Sequence, residues 1–376
     1  METNLIRLGD CVLCNPTVKL TKGQLYSLID IDKIEIGRKF VTKKSLVSYS
    51  GQSGCKFEDG ETLMARITPC LENGKMAVAK IEDKGIGSTE LFVFRNREGV
   101  TDKEFVYYLF KQQYIRNLAA NSMTGASGRQ RADLKFVKRI KLNLPLLPIQ
   151  HRIASILSTY DMLIENNTKR IRLLEKMAEN LYKEWFVRFR FPGHEKVEME
   201  NGLPKGWKYV NFGKLSPIVT GKKDANFASP NGKYKFFTCS KADLMADSYS
   251  FDCFAIILAG NGDLNVKLYK GQFEAYQRTY VLTPYDISHI YISYYTIQSE
   301  LDRLLVGAAG AVIKFLTKGM IEKIKIVVPD QSLLRKFNIM LDANFKIRQN
   351  LIAQNTLLAR QRDLLLPRLM SGKLEV

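Results

Sequence analysis

The residues best suited to metal, redox or acid–base chemistry are six cysteines and three histidines, and their spacing does not assemble a centre. Cys11 and Cys14 form a CxxC pair, but a zinc ribbon needs a second pair, and Cys55, Cys70, Cys239 and Cys253 stand alone. His151, His194 and His289 are remote in sequence from the pair and from one another. The thiols therefore read as reduced cysteines of a cytoplasmic protein, with no metal expected. No GxxxxGK[ST] loop is present to cradle a nucleotide phosphate, and Gly260-Asn261-Gly262 is not extended into GxGxxG. Asn15-Pro16-Thr17 lacks the second proline and aromatic residue that amino-methyltransferases carry, and Glu82-Asp83-Lys84 has the acid-x-Lys form of nucleases with nothing upstream to complete it. Three scattered histidines supply general acid–base chemistry poorly. The chain is expected to carry no catalytic centre.

What the sequence does supply is polar side chains of the kind that read DNA. Arginine and lysine match guanine edges, asparagine and glutamine match adenine edges, and lysine, arginine and small hydroxyls hold phosphates. In the first half the candidates are Arg66, Thr68, Asn73, Lys75, Ser88, Arg129 and Arg131. In the second they are Lys222, Lys223, Asn261, Asn265, Lys267, Gln277 and Arg278. Those of the first half sit on polar loops between strand-like runs, where binding residues concentrate. For each the competing role is a solvated loop side chain. Gly128, Gly260 and Gly262 are expected to serve backbone geometry.

The charge agrees with such a surface. Lys and Arg total 57 against 38 acidic residues, a formal net charge of +19. It is spread as +8 over residues 1–145, +3 over 146–191, +4 over 192–328 and +4 over 329–376. A balance this basic fits a polyanionic partner, nucleic acid or an acidic membrane surface. No apolar run approaches the roughly 20 residues of a spanning helix, and the first residues lack the basic and apolar regions of a signal peptide.

The elements that must position these loops repeat. Gly125-Ala126-Ser127-Gly128, a β-rich run and Pro148-Ile149-Gln150 in the first half are answered by Gly307-Ala308-Ala309-Gly310, a β-rich run and Pro329-Asp330-Gln331 in the second. Upstream, Leu8-Gly9-Asp10 answers to Phe212-Gly213-Lys214, and Leu63-Met64-Ala65 to Ile257-Leu258-Ala259. Leu91-Phe92-Val93-Phe94 likewise answers to Thr279-Tyr280-Val281-Leu282, and the aromatic stretch 105–109 to 291–295. Each half reads as a β-rich unit followed by a long helix, the first stopped by Phe191-Pro192-Gly193 and the second ending near Pro367.

The central helix carries a strict four-three seam: Ile153, Leu157, Tyr160, Ile164, Asn167, Ile171, Leu174, Ala178, Leu181 and Trp185. Asn167 is a polar residue able to fix register. The C-terminal helix offers Phe337, Met340, Asn344, Ile347, Leu351, Leu358 and Leu365, with Gln354 and Gln361 on the same stripe. Each helix could pack on its neighbouring domain, but two matched seams favour their pairing. A helix of about 35 residues spans roughly 50 Å, enough to hold two readers about one duplex turn apart.

These residues resemble the specificity (S) subunit of type I restriction–modification enzymes over the whole chain. The resemblance is carried by Phe57 to Lys75, Gly87-Ser88-Thr89-Glu90, Thr124 to Arg131, Ile256 to Gly262, Tyr276 to Leu282, Pro148 to Ile153 and Leu364 to Leu374. It implies an α+β fold, with two β-rich target-recognition domains in pseudo-twofold tandem separated by two long helices that pair as an antiparallel coiled coil. The expected boundaries are 1–146 for the first recognition domain, 147–191 for the central helix, 192–328 for the second recognition domain and 329–376 for the C-terminal helix. It implies that each domain reads one half of a split, asymmetric site in double-stranded DNA. Ile153, Leu157, Tyr160, Ile164, Ile171, Leu174, Leu181, Leu351, Leu358 and Leu365 would then set the gap and dock two methyltransferase subunits. Restriction (translocase) subunits would join them, with S-adenosylmethionine, ATP and Mg2+ on the partners and none bound by this chain. The sequence departs from the pattern at 307–310, which lacks the Arg-Gln-Arg of the first loop, and after Pro329, where extra residues precede the seam. Two rivals remain at this stage, a DNA-processing enzyme acting alone and a DNA-binding regulator without an enzymatic partner.

Overall fold

The computed structural model describes residues 3–42, 45–126, 128–307 and 315–375. It divides into two compact units, one of Met1–Ile171 with Gln349–Val376 and the other of Arg172–Arg348. Both boundaries fall inside long helices, Leu147–Tyr182 and Gln331–Met370, so each unit contains a part of both.

In the first unit a five-stranded sheet runs in the order Val12–Cys14, Leu91–Asn96, Thr62–Ala65, Met76–Lys80, Phe40–Thr42. Successive side chains of a strand point to opposite faces, so its inner strands can serve two cores. Met64, Val78, Phe92 and Phe94 turn to one core with the helix Lys103–Lys111. Leu63, Ala65, Ala77, Ala79, Leu91 and Val93 turn to another with Ile29 and Phe57 of a second, four-stranded sheet. The helix starts where Asp102 accepts the Phe105 amide at 2.8 Å. It is buried all round from Phe105 to Phe110, and Phe110 stacks on Phe94 with ring centres 3.7 Å apart.

The second unit is built on a six-stranded sheet in the order Ile218–Thr220, Thr279–Leu282, Phe251–Ala259, Val266–Ala275, Tyr234–Phe237, Leu244–Ala246. Ile256, Leu258 and Leu282 face a core with the helix Ile290–Gly307, while Ala255, Ile257 and Val281 face the other side with Phe237 and Phe273.

The repeat is structural down to register. Leu91 pairs with Ala65 and Val93 with Leu63 in the first unit; Thr279 pairs with Ala259 and Val281 with Ile257 in the second. Each unit also has a two-stranded ribbon that leads into a long helix, Thr3–Arg7 with Lys141–Pro145 and Lys208–Asn211 with Lys325–Val328. The two helices begin two residues after Pro145 and Pro329. The counterpart of Pro329 is therefore Pro145, not Pro148 as the Pro-x-Gln pattern suggested. Gln150 ties the helix start to the domain instead. Wholly buried, it donates to the carbonyls of Val100 and Pro145 and accepts from the Asp102 amide.

This offset corrects the C-terminal seam. Counted from the two prolines, Ile153, Leu157, Tyr160, Ile164, Asn167, Ile171, Leu174, Ala178, Leu181 and Trp185 answer to Phe337, Leu341, Asn344, Arg348, Leu351, Asn355, Leu358, Arg362, Leu365 and Leu369. No residue of either set is exposed. Met340, Ile347, Gln354 and Gln361, chosen by hydropathy or spacing, lie outside it and are exposed. Polar residues take their places because each finds a partner on the other helix. Within the first unit Arg362 pairs with Asp161, both only 1% exposed, and Asn355 donates to Thr168 at 3.3 Å. Gln354, though exposed, accepts from Asn167 at 3.4 Å. Within the second unit Asn344 donates to the Leu174 carbonyl at 3.0 Å and Arg348 to Glu175 at 2.9 Å. Partner numbers fall as residue numbers rise, so the two helices pair antiparallel within each unit.

Two expected helix stops differ. The central helix leaves regular geometry before Phe191-Pro192-Gly193, through a π turn at Lys183–Val187 and Phe189 at φ 58°. The C-terminal helix runs through Pro367 to Met370. Near its end a proline removes only one amide, and the amides of Ser371, Gly372 and Leu374 turn back onto the carbonyls of Pro367, Leu369 and Arg368.

Candidate nucleic-acid interface

In the first unit the loop candidates converge beyond the Ala65–Leu91 pair. The Arg66 amide donates to the Glu90 carbonyl at 2.9 Å, the Ala132 amide to the Arg66 carbonyl at 2.8 Å, and the Thr68 amide to the Gln130 carbonyl at 3.0 Å. Arg131 is bridged on its two sides to Ile67 and Thr124. Three chain segments thus meet, bringing Arg66, Thr68, Ser88, Arg129 and Arg131 to one end of the sheet. Asn73 and Lys75 lie at the return of the same connection, where the Lys75 carbonyl accepts the Ala65 amide. Arg66 spans Phe92, its guanidinium 4.9 Å from the ring centre, and donates to the Ala132 carbonyl. Arg129 is exposed. Ser127 of this loop lies outside the described residues.

Sequence reasoning missed Glu90. Its carboxylate takes the Arg131 Nε at 3.0 and 2.9 Å and Nη2 at 2.6 Å. The hydrogen bonds from Arg131 hold the Glu90 carboxyl below its ordinary value against the opposing effect of burial. The motif Gly87-Ser88-Thr89-Glu90 was in view, but an acid does not advertise a DNA-facing role. Only the fold pairs it with Arg131, 41 residues on.

In the second unit the candidates gather at the corresponding end. The Gly260 amide donates to the Arg278 carbonyl at 2.9 Å and the Leu316 amide to the Gly260 carbonyl at 2.7 Å, while Asn261 bridges Phe315. These reproduce the bonds among Arg66, Glu90, Ala132, Ile67 and Arg131. Gly260 is required there, since a Cβ would stand 2.6 Å from the Arg278 carbonyl oxygen. Lys223 bridges Tyr276 and accepts the Gln277 amide, which draws in Lys222, Gln277 and Arg278. Asn265 donates to the carbonyl oxygens of Cys239 and Asp263. Lys267 is engaged internally, 2.8 Å from Asp243, which also holds Lys235. Residues 308–314, with most of Gly307-Ala308-Ala309-Gly310, lie outside the described residues.

The same backbone frame thus presents unlike side chains. Glu90 and Arg131 of the first unit are replaced in the second by Arg278 and an exposed Phe315. Burial pushes the Cys11 and Cys14 thiols up to about 12 and about 11. No described helix is long and apolar enough to cross a membrane.

Residues 20–176 match the family model of the type I restriction modification DNA specificity domain. The chain is 35% identical to the EcoDI specificity subunit of Escherichia coli over 176 residues, 46% of this chain and 39% of that one. It is 27% identical to the MjaIX specificity subunit of Methanocaldococcus jannaschii over 317 residues, 75% of this chain and 72% of that one. Residues 20–176 thus carry a type I restriction modification DNA specificity domain, and the chain is similar to type I restriction enzyme specificity subunits. The matched stretch spans only about two fifths of the EcoDI subunit's length. The S subunit of the type I restriction–modification system from M. genitalium, at 15% identity and a TM-score of 0.56, covers 98% of this chain and 96% of its own, and shares the fold. The two matched sheet ends are the surfaces where unlike loops are carried on a common frame.

Proposed function

We propose that this chain is the non-catalytic DNA-reading subunit of a type I restriction–modification complex. Each unit reads one half of a split, asymmetric site in double-stranded DNA. The observation that carries this reading is the repeated frame of backbone bonds at Arg66 and Gly260, which holds Glu90 and Arg131 on one side and Arg278 and Phe315 on the other. Two readers with identical tips would favour a palindrome; unlike tips favour an asymmetric site. The formal charge of +19 supplies the sequence-independent attraction to phosphates. The exposed faces of the paired helices dock two methyltransferase subunits, and restriction subunits join them in the cytoplasm. S-adenosylmethionine, ATP and Mg2+ are bound by those partners.

The test is reconstitution. The chain co-expressed with a cognate methyltransferase should co-purify with it and make methyl transfer from labelled S-adenosylmethionine to duplex DNA depend on this chain. DNA cleavage by the lone chain with a divalent metal, or sequence-specific binding without association with any methyltransferase, would contradict the assignment.

A further inference from the structure

Arg131 is held in a way that phosphate binding does not require. Two of its donors, Nε and Nη2, are committed to the Glu90 carboxylate along one edge of the guanidinium. Among the described residues nothing bonds the other edge, formed by Nη1 and the second Nη2 hydrogen. Both backbones are fixed as well. Glu90 donates its amide to Ser88 Oγ at 3.1 Å and accepts the Arg66 amide; Arg131 exchanges amide–carbonyl bonds with Thr124 at 3.0 and 3.1 Å. The Arg131 side chain is 45% exposed and that of Glu90 20%, so the arginine is the more open member of the pair.

The charge argument separates two roles for such an arginine. Attraction to the phosphate backbone needs net positive charge and little orientation. Glu90 cancels the charge of Arg131 and supplies orientation instead. A planar fork of fixed direction with one edge free is the donor pattern that matches the O6 and N7 acceptors of guanine. Arg129, two residues away, exposed and with no described side-chain partner, is the residue suited to phosphate.

We propose that Glu90 is a positioning residue that aims Arg131 at a guanine edge in one half of the DNA site. The inference rests on the DNA-reading role proposed above. In the second unit Arg278 stands where Glu90 stands, so this device belongs to the first half-site alone.

The test uses the full chain and duplexes selected from a random library by the wild-type protein, followed by duplexes in which each base pair is varied singly. The wild type should show one G·C pair whose replacement weakens binding roughly tenfold to a hundredfold. In Glu90→Gln and Glu90→Ala that penalty should fall to about threefold or less, with binding to unrelated DNA unchanged or tighter. Arg131→Lys, which keeps the charge but loses the fork, should also erase the penalty. Glu90→Gln retains every backbone bond named above, so it reports even if Glu90→Ala fails to fold. If the variants weaken all duplexes evenly, or leave every base preference intact, Arg131 is a phosphate or structural arginine and the inference is overturned. If the wild type selects no sequence at all, the DNA-reading role falls, and the inference with it.

Discussion

At the scale of residues, Arg129 and Arg131 separate two effects that a basic loop usually blends. Neutralising one phosphate changes the slope of log affinity against log salt by about 0.9. Arg129→Ala should flatten the slope by about that amount, whereas the double variant Arg131→Ala/Glu90→Gln, which removes two opposite charges together, should leave it nearly unchanged. Equal changes in the two variants, read by titration at several salt concentrations, would contradict this division. The pair also has a pH signature. The carboxyl of Glu90 is depressed by Arg131 in the folded chain, so its stabilising contribution is fully present above the ordinary carboxylate value. That contribution is lost as pH falls through the lowered value. The difference in thermal midpoint between wild type and Glu90→Gln should therefore be present at pH 7 and close on acidification towards pH 3. A difference that grows on acidification would have the wrong sign. Loop chemistry was legible in the sequence only in part. Basic and amide side chains identified the loops, but the acid that orients one of them and the aspartate that occupies Lys267 are visible only in three dimensions.

At the scale of elements, the strands were the most legible part. Short uninterrupted apolar runs mark Leu63-Met64-Ala65 and Leu91-Phe92-Val93-Phe94, and the second-half stretches aligned with them adopt the same register. The C-terminal seam was half legible. Hydropathy favoured Met340 and Ile347 over Arg348, Asn355 and Arg362, because a single-helix pattern cannot see that the opposite helix offers Asp161, Thr168 and Glu175. Anchoring the two helices on Pro145 and Pro329 would have recovered every position. The buried pair Asp161–Arg362 makes a quantitative prediction. Asp161 also accepts from Tyr108 at 2.5 Å. Asp161→Ala leaves the buried Arg362 guanidinium with only Asp363 and the Gly37 carbonyl among the described residues and takes the acceptor from the Tyr108 hydroxyl, and should cost about 3 kcal/mol of stability. Replacing both residues by leucine should restore most of that loss. Denaturant unfolding of the three variants decides it, and a single-variant loss below about 1 kcal/mol would show the pair to be solvated. Ile164→Asp, which places a charge in the apolar seam, should unpair the helices and abolish co-purification with the methyltransferase. Normal assembly of this variant would remove the coiled coil from the docking surface.

At the scale of the whole molecule, two units share a frame and differ at its tip. The repeat was readable as an order of weak matches, none persuasive alone. What sequence could not supply was the equivalence of individual tip residues, since Glu90 with Arg278 and Arg131 with Phe315 share neither type nor local sequence. It is set by backbone hydrogen bonds, which leave no trace in hydropathy. The central claim is that one chain carries two different readers. Selection of bound duplexes from a random library by the full chain, followed by sequencing, tests it most directly. The predicted result is two short, unlike blocks of preferred sequence separated by a gap of constant length and no preference. A single contiguous block, a palindrome, or an absence of sequence preference would contradict it.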